Sequence, residues 1–336
     1  MKKNYTTWHI NTKAFSNAWP DEQKLQYFAR FAILAPSGHN TQPWHFDFQK
    51  DQVSISANKS RHLYYSGIQA AEPFVSLGAC LQTMQLAASG YGYNLEITYN
   101  FSGRAIAVAK ISGKIKSSSS LLSAIKQRVS NRHSYRTDAI SRQILSSFFK
   151  SRYKGVTCQV VSNKQDIAYI AKLTAIATIT IMSDKSFRVE LSKWVRNNLT
   201  KQHDGMPGFV QGMPTPPSLL AKHVIKNINI SKSQAKKDAQ RVLHSANLII
   251  IMVNDKKKQT LLEAGRQYAD ICILAQQQGF ATSGVGAAAI DPETNSRISK
   301  HFQLNDYPLA IIRIGKTSKA ARHTPRWHLE DVSNIN

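Results

Sequence analysis

Along this chain apolar residues recur first at helical spacing and then in short strand-like runs, and the two rhythms alternate to the end. Leu25, Phe28, Ala29, Ala32 and Ile33 predict a helix over residues 21–35, preceded by Pro20 and closed by Pro36. Residues 44–48 and 53–57 predict strands. Residues 70–89 predict a largely buried helix stopped by Gly90 and Gly92, with strands at 95–99 and 106–111. Residues 114–120 end in four consecutive serines and predict a linker. Beyond it the spacing predicts helices at 121–129 and 140–149, a strand at 156–161, and helices at 166–182 and 184–199. Residues 204–217, with three Gly and four Pro, predict an irregular segment. A helix ending near His244, a strand at 248–253, a helix at 259–278, a Gly-rich turn at 279–286 and a strand at 308–314 complete the series. Such alternation points to a layered α/β arrangement. Residues 79–91 and 268–280 share a plan, an apolar helix ending in Gly and an aromatic residue, which hints weakly at duplication.

Composition narrows the class. The chain is 42% hydrophobic and 19% charged, as in a folded globular protein. Its longest strongly apolar run, residues 246–253, falls far short of the ~20 residues a membrane span needs. No apolar segment follows Met1-Lys2-Lys3, so no secretory leader is expected. Cys80, Cys158 and Cys272 are widely spaced and odd in number, which fits a reducing cytoplasm and neither a disulfide framework nor a zinc site.

The net charge of +24 raises nucleic acid as a partner. Yet the lysines lie in scattered short clusters such as Lys236-Lys237 and Lys256-Lys257-Lys258, without an aromatic–basic RNA signature. Nucleic-acid binding is therefore not expected as the main function. Steering of phosphorylated ligands is the plainer use of such a field.

Hydrolytic and metal motifs are missing. No His-Glu-x-x-His, Gly-x-Ser-x-Gly or phosphate loop occurs, and the acidic residues form no obvious pair. Gly284-Val285-Gly286-Ala287-Ala288-Ala289 fits a dinucleotide fingerprint in letters, but a helix is expected before it, where the fingerprint needs a strand. No catalytic side chain and no metal ligand are assigned. Chemistry supplied by a cofactor is what remains.

Two clusters carry that expectation. Ala35-Pro36-Ser37-Gly38-His39-Asn40-Thr41-Gln42-Pro43-Trp44 places small, hydroxyl and amide groups between an apolar helix and an aromatic strand, a surface suited to a flat, polar-edged ligand. Arg132-His133-Ser134-Tyr135-Arg136 is dense in donors suited to a phosphate, though alone it reads equally as an exposed basic turn.

The first cluster resembles the Pro-Ser-x-x-Asn-x-Gln-Pro-Trp loop of the FMN-dependent nitroreductase family, and the second resembles that family's Arg-x-Ser-x-Lys/Arg turn. Asp204-Gly205-Met206-Pro207 and Thr324-Pro325-Arg326 look like its single-chain, Acg-like branch. The resemblance spans about residues 21–332. It implies an α+β nitroreductase fold, three layers α/β/α with a mixed sheet, as two pseudo-symmetric halves in one chain: residues 1–113, a linker 114–120, and residues 121–336 with a lid at 204–217. Such a chain would be a monomer containing an internal pseudo-dimer.

The resemblance also implies one FMN. Arg132, Ser134, Arg326 and Arg322 would hold its phosphate, and Arg136, backed by Arg241, would face the ring's N1 and O2. Ser283 and Gly284 would meet the ring edge, and Pro36, Ser37, Gly38, Asn40 and Gln42 would come across from the first half. The implied activity is ping-pong reduction of a nitroaromatic, quinone or similar small acceptor by NAD(P)H. The alternative is a protein that sequesters FMN with little turnover.

Overall fold

Two four-stranded antiparallel sheets, one from each part of the chain, carry the fold. The computed structural model describes residues 3–63, 71–103, 105–149 and 153–335. Met1, Lys2 and Ala70, the last being the first residue of a predicted helix, lie outside them.

The first sheet is built from helix α1 (Asp21–Ala32), strands β1 (Trp44–Gln49) and β2 (Gln52–Ala57), the long helix α2 (Glu72–Gly90), strands β3 (Tyr93–Tyr99) and β4 (Ala107–Lys114), and helix α3 (Ser119–Gln127). Its strand order is β1-β2-β4-β3. Trp44 and Phe46 are buried while His45 and Asp47 are not, so this sheet covers one face, against α1 and α2.

The remainder comprises α4 (Arg142–Ser147), β5 (Val156–Val161), α5 (Lys164–Ser183), α6 (Lys185–Trp194), β6 (Val195–Arg196), β7 (Met206–Pro207), α7 (Thr215–Ser218), α8 (Ala221–Asn227), α9 (Ser231–Leu243), β8 (Asn247–Val253), α10 (Lys258–Gln277), β9 (Ala281–Val285), α11 (Ala287–Ile290), α12 (Pro292–His301) and β10 (Tyr307–Gly315). The second sheet runs β5-β8-β10-β9, the same plan of two strands, a long helix and two strands. All seven residues of β8 are buried, because α4 and α10 pack on one face of this sheet and α5, α9 and α12 on the other. That is the three-layer arrangement, and the chain is α+β.

Among the described residues, parallel pairing is confined to β6–β7 and to two single bridges. Ser130, just after α3, pairs with Thr282 of the second sheet, and Ser333, near the C-terminus, pairs with Phe46 of the first. Each bridge has a backbone hydrogen bond beside it, Asn131 N–H to the Thr282 carbonyl and Asn334 N–H to that of Phe46. Ser130 and Ser333 belong to no strand, so each bridge ties a connecting segment to the edge of one sheet.

Several expectations need correction. The turn expected at 279–286 is largely the edge strand β9, held by β10 through Ile311–Val285 and Arg313–Ser283 pairs. A strand therefore does precede Gly286. The helix after it, however, spans only Ala287–Ile290, and the sheet is antiparallel, so no dinucleotide fold results. The helix expected at 184–199 stops at Trp194, where Val195 turns extended to pair with Met206. The 204–217 segment is not wholly irregular: it holds a 3-10 turn at Gly208–Gln211 and one helical turn at Thr215–Ser218 with prolines in its first turn. Helix α5 is long and apolar enough by length and composition to cross a membrane, though much of it is buried against α9 and α11. No membrane segment was expected from the sequence.

Candidate functional site

The loop between α1 and β1 is bent in an unusual way. His39, Asn40 and Gln42 all have positive φ, at 48°, 59° and 52°. Side chains other than glycine rarely adopt this region, and such strain persists only where the surroundings over-determine it. Here they do. Asn40 donates from Nδ2 to the carbonyls of Gly205 and Pro325, both at 3.0 Å, and its Oδ1 accepts from Arg326. Gln42 donates to the His203 carbonyl at 2.7 Å and accepts from Trp327 N–H at 3.1 Å. Gly38 N–H donates to Glu72 Oε1 at 2.7 Å, and a Cβ on Gly38 would collide with that carboxylate. The loop is thus clamped to the 203–205 segment, to the C-terminal 325–327 segment and to the start of α2.

Beside this loop lies a cavity of about 330 Å³. Pro36, Ser37 and Asn40 line it together with Arg128, Arg132, Arg241, Arg322 and Arg326. Among the described residues no carboxylate lines it. Arg326 is 2% exposed, and its guanidinium donates to the carbonyls of Leu34 and Ala35 at 3.3 and 3.1 Å. Burial and the like charge of Arg128 hold its pKa below the usual arginine range.

A second cavity, about 480 Å³ and mainly apolar, shares Pro36, Ser37, His39, Arg132 and Arg241 with the first. Ser283 and Gly284 of β9, Tyr268 of α10, Ile181 of α5, Leu191 of α6 and Ile225 of α8 line it. A Cβ at Gly284 would come within 2.8 Å of the Tyr268 hydroxyl, so glycine permits this approach. Met206 and Gln211, from the 204–217 segment, line both cavities, and Phe209 lines the first, its ring under the Arg322 guanidinium at 4.1 Å.

Arg313 was not anticipated. It is 1% exposed in β10, donates to Ser245 Oγ and to the carbonyls of His133 and His244, and lies 3.9 Å from the Tyr135 ring centre. One of its terminal nitrogens has no hydrogen-bond partner, and its pKa is lowered to about 10 by burial despite the nearby Tyr135 hydroxyl. A charge set within the apolar run Ile311-Ile312-Arg313-Ile314 is the signal that was available in the sequence. His39 and His323 also face the cavities, each pushed down to about 4, first by burial and then by neighbouring arginines. Glu72, in the second cavity's wall, is raised by burial.

Of the residues singled out from the sequence, Pro36, Ser37, Asn40, Arg132, Arg241, Arg322 and Arg326 converge on the first cavity, and Gly38, Ser283 and Gly284 on the second. Three do not converge. Arg136 points outward, its side chain 73% exposed and paired with Asp138 at 2.8 Å. Arg136 follows Arg132 by four residues, with the buried Tyr135 just before it, so the side chains separate. Ser134 is exposed and lines an outer groove instead. Gln42 lines neither cavity and instead ties the loop to His203 and Trp327. Among the described residues no cluster of three metal-ligating side chains occurs.

The donor set fits a flat group carrying a phosphate. An arginine-lined, carboxylate-free chamber opens into an apolar one, and buried Arg313 and Arg326 each keep an N–H unpartnered.

No protein-family model matches the chain. It is similar to a probable NAD(P)H nitroreductase, PigM, of Serratia sp. (strain ATCC 39006), with 22% identity over 334 aligned residues covering 91% of each chain. Solved structures that resemble it include an FMN and NADPH-dependent nitroreductase, NfnB, from sphigopyxis sp. strain HMH, at TM-score 0.44 and 12% identity over 64% of this chain and 98% of that one. Another is the NADPH:FMN oxidoreductase from Vibrio harveyi complexed with NAD+, at TM-score 0.38 and 9% identity over 62% and 73%.

Proposed function

We propose that this chain is an FMN-dependent oxidoreductase of the nitroreductase family, its single cofactor site assembled between two fused halves. The observation that carries this reading is the continuity of the arginine-lined chamber with the apolar one, where the 36–42 loop from the first half meets residues of the second. The similarity to a probable NAD(P)H nitroreductase over 91% of each chain supports it.

Arg132, Arg322 and Arg326 hold the phosphate, a dianion that needs several charged donors. Arg313, in place of the exposed Arg136, supplies fixed positive charge near the ring, with Arg241 behind it. Pro36, Ser37 and Gly38 approach from one side, and Ser283 and Gly284 from the other. FMN, when bound, supplies two-electron redox chemistry between NAD(P)H and a nitroaromatic, quinone or related acceptor, in ping-pong order. The chain's own task is to orient these partners, to keep water from the apolar chamber and to hold the field positive. His39 and His323, both neutral at pH 7, add no charge of their own. The halves divide at residues 1–113 and 121–336, the chain acts as a monomer, and its free cysteines suit the cytoplasm.

The 204–217 segment, tied to Asn40 and walling both cavities, favours a second reading in which FMN is held with little turnover. Anaerobic addition of NADPH to the yellow protein separates the two. Rapid bleaching supports the enzyme, lasting colour supports sequestration, and a colourless protein that takes up no FMN contradicts both.

A further inference from the structure

Outside the two cavities, and meeting both at Arg132, Gln211 and Arg241, runs an open groove of about 590 Å³. We propose that this groove binds the 2′-phosphoadenosine end of the electron donor, so that the chain uses NADPH in preference to NADH; the proposal rests on the oxidoreductase reading above.

The groove's floor is one face of α9. Ser233, Lys236, Lys237, Gln240 and Arg241 follow at i, i+3, i+4, i+7 and i+8, which puts all five side chains on a single stripe. The stripe leads from Arg241 at the cavity wall to Lys236 and Lys237 at the surface, and Lys319 faces it from the C-terminal segment. No carboxylate lines the groove. The only acid on α9, Asp238, lies off the stripe, where its Oδ1 accepts from Arg241 and Gln234. Among the described residues neither Lys236, Lys237 nor Lys319 has a carboxylate partner, and Lys237 stands one turn from Arg241, where like charges repel. Asp238 compensates Arg241, which leaves Lys236, Lys237 and Lys319 as the groove cations without a carboxylate partner among the described residues, a set that an anion would neutralise.

A phosphate in the inner chamber does not account for these lysines. Arg322 and Arg326 line that chamber and not the groove, whereas Lys236, Lys237 and Lys319 line the groove and not the chamber. The groove therefore has cations to spare for a second phosphorylated molecule arriving from solvent and reaching the shared junction at Arg132 and Gln211. NADH and NADPH differ only in the 2′-phosphate, a group that ammonium donors recognise through charge-assisted hydrogen bonds. Ser134, exposed in the same groove, adds a hydroxyl donor for it.

The test compares 2′,5′-ADP with 5′-AMP for binding to the FMN-loaded protein by calorimetry, and NADPH with NADH as donors. Each comparison uses wild type, the double variant Lys236→Gln/Lys237→Gln and the rescue variant Lys236→Arg/Lys237→Arg. The expected result is tighter binding of 2′,5′-ADP by roughly ten- to hundredfold, as for a charge-assisted contact. The Gln variant should lose that margin and lose kcat/KM for NADPH by a similar factor, chiefly through KM. Its NADH kinetics and FMN content should stay unchanged, and the Arg variant should keep the preference. Equal binding of the two nucleotides, or equal losses for both donors, would overturn the groove assignment while leaving the flavin reading intact. A colourless protein that still prefers 2′,5′-ADP would uphold the groove and sink the oxidoreductase. Salt-sensitive binding of single-stranded RNA, with no response to 2′,5′-ADP, would show the groove to be a nucleic-acid surface and overturn the proposal.

Discussion

Gly78 of α2 and Gly265 of α10 each leave room for the other helix's backbone: a Cβ on Gly78 would stand 1.9 Å from the Leu262 carbonyl oxygen, and one on Gly265 would stand 2.0 Å from that of Val75. Leu262 precedes Gly265 by one helical turn, as Val75 precedes Gly78, so the crossing has local two-fold symmetry. The left-handed glycines beyond the two helices, Gly92 (φ 86°) and Gly279 (φ 78°), fall at the same distance along the chain from their partners. Gly92, rather than Gly90, is therefore the counterpart of Gly279. Gly78→Ala and Gly265→Ala should each destabilise the protein, by about 1–3 kcal/mol or more because backbone must shift. Urea denaturation of the two variants should give similar losses; tolerance of either would contradict the close crossing.

The exposure of Arg136 and the inward position of Arg132 separate two residues that sequence spacing had joined. Arg132→Ala should weaken FMN binding by about 1.5–3 kcal/mol and riboflavin binding much less. Arg136→Ala should leave both unchanged, since it disrupts only a surface ion pair. Fluorescence titration with the two flavins reads these differences, and equal losses for both ligands in Arg132→Ala would count against a phosphate contact.

His39 and His323 give the apoprotein a defined acid sensitivity. Both native pKa values are lowered to about 4 from the ordinary 6.5. The unfolded chain thus binds protons that the native chain refuses, and stability falls as pH drops from about 6.5 to about 4. At its steepest each histidine contributes about 1.4 kcal/mol per pH unit. His39→Asn keeps a residue that tolerates positive φ and should flatten this slope. Urea midpoints measured at pH 7 and pH 5 would show it, and an unchanged slope would mean that His39 is not held neutral.

Much of this architecture was legible in the chain because local rules and tertiary packing agree there. The strand at 156–161 is found as expected, and the periodic helices α2, α5 and α10 are misplaced by only one or two residues at their ends. The Pro36–Gln42 loop announced itself through its composition. What was hidden depends on partners distant in sequence. β9 reads as a glycine-rich turn until β10 pairs with it, and β6 reads as helix until Met206 arrives. Arg313 looked like part of a buried strand, and nothing nearby in sequence shows that it lies under the Arg132 turn. Arg136 lies apart from the cavities because a motif fixes residue order but not which side of Tyr135 each side chain takes.

The 204–217 segment should depend on one side chain. Asn40 holds Gly205 through both its side-chain amide and its backbone carbonyl, and also accepts from Arg326. Asn40→Gly keeps the positive φ accessible while removing the side chain, so its effect is free of backbone strain. It should cost roughly 1–3 kcal/mol, the scale of a buried donor or acceptor left unpaired. It should also speed hydrogen exchange in residues 204–213 and raise turnover of bulky quinones. Unchanged exchange there would show that the segment is held by other contacts.

In the proposed reading a single FMN site is completed within one chain. The 36–42 loop and the arginine turn occur once each, and they meet without a second subunit. Apoprotein titrated with FMN, with the particle mass followed by light scattering in the same samples, tests this directly. Saturation is expected at one equivalent per chain, in particles of about 37.6 kDa at every dilution. Two equivalents per chain, or flavin binding that disappears on dilution together with a dimer, would contradict it.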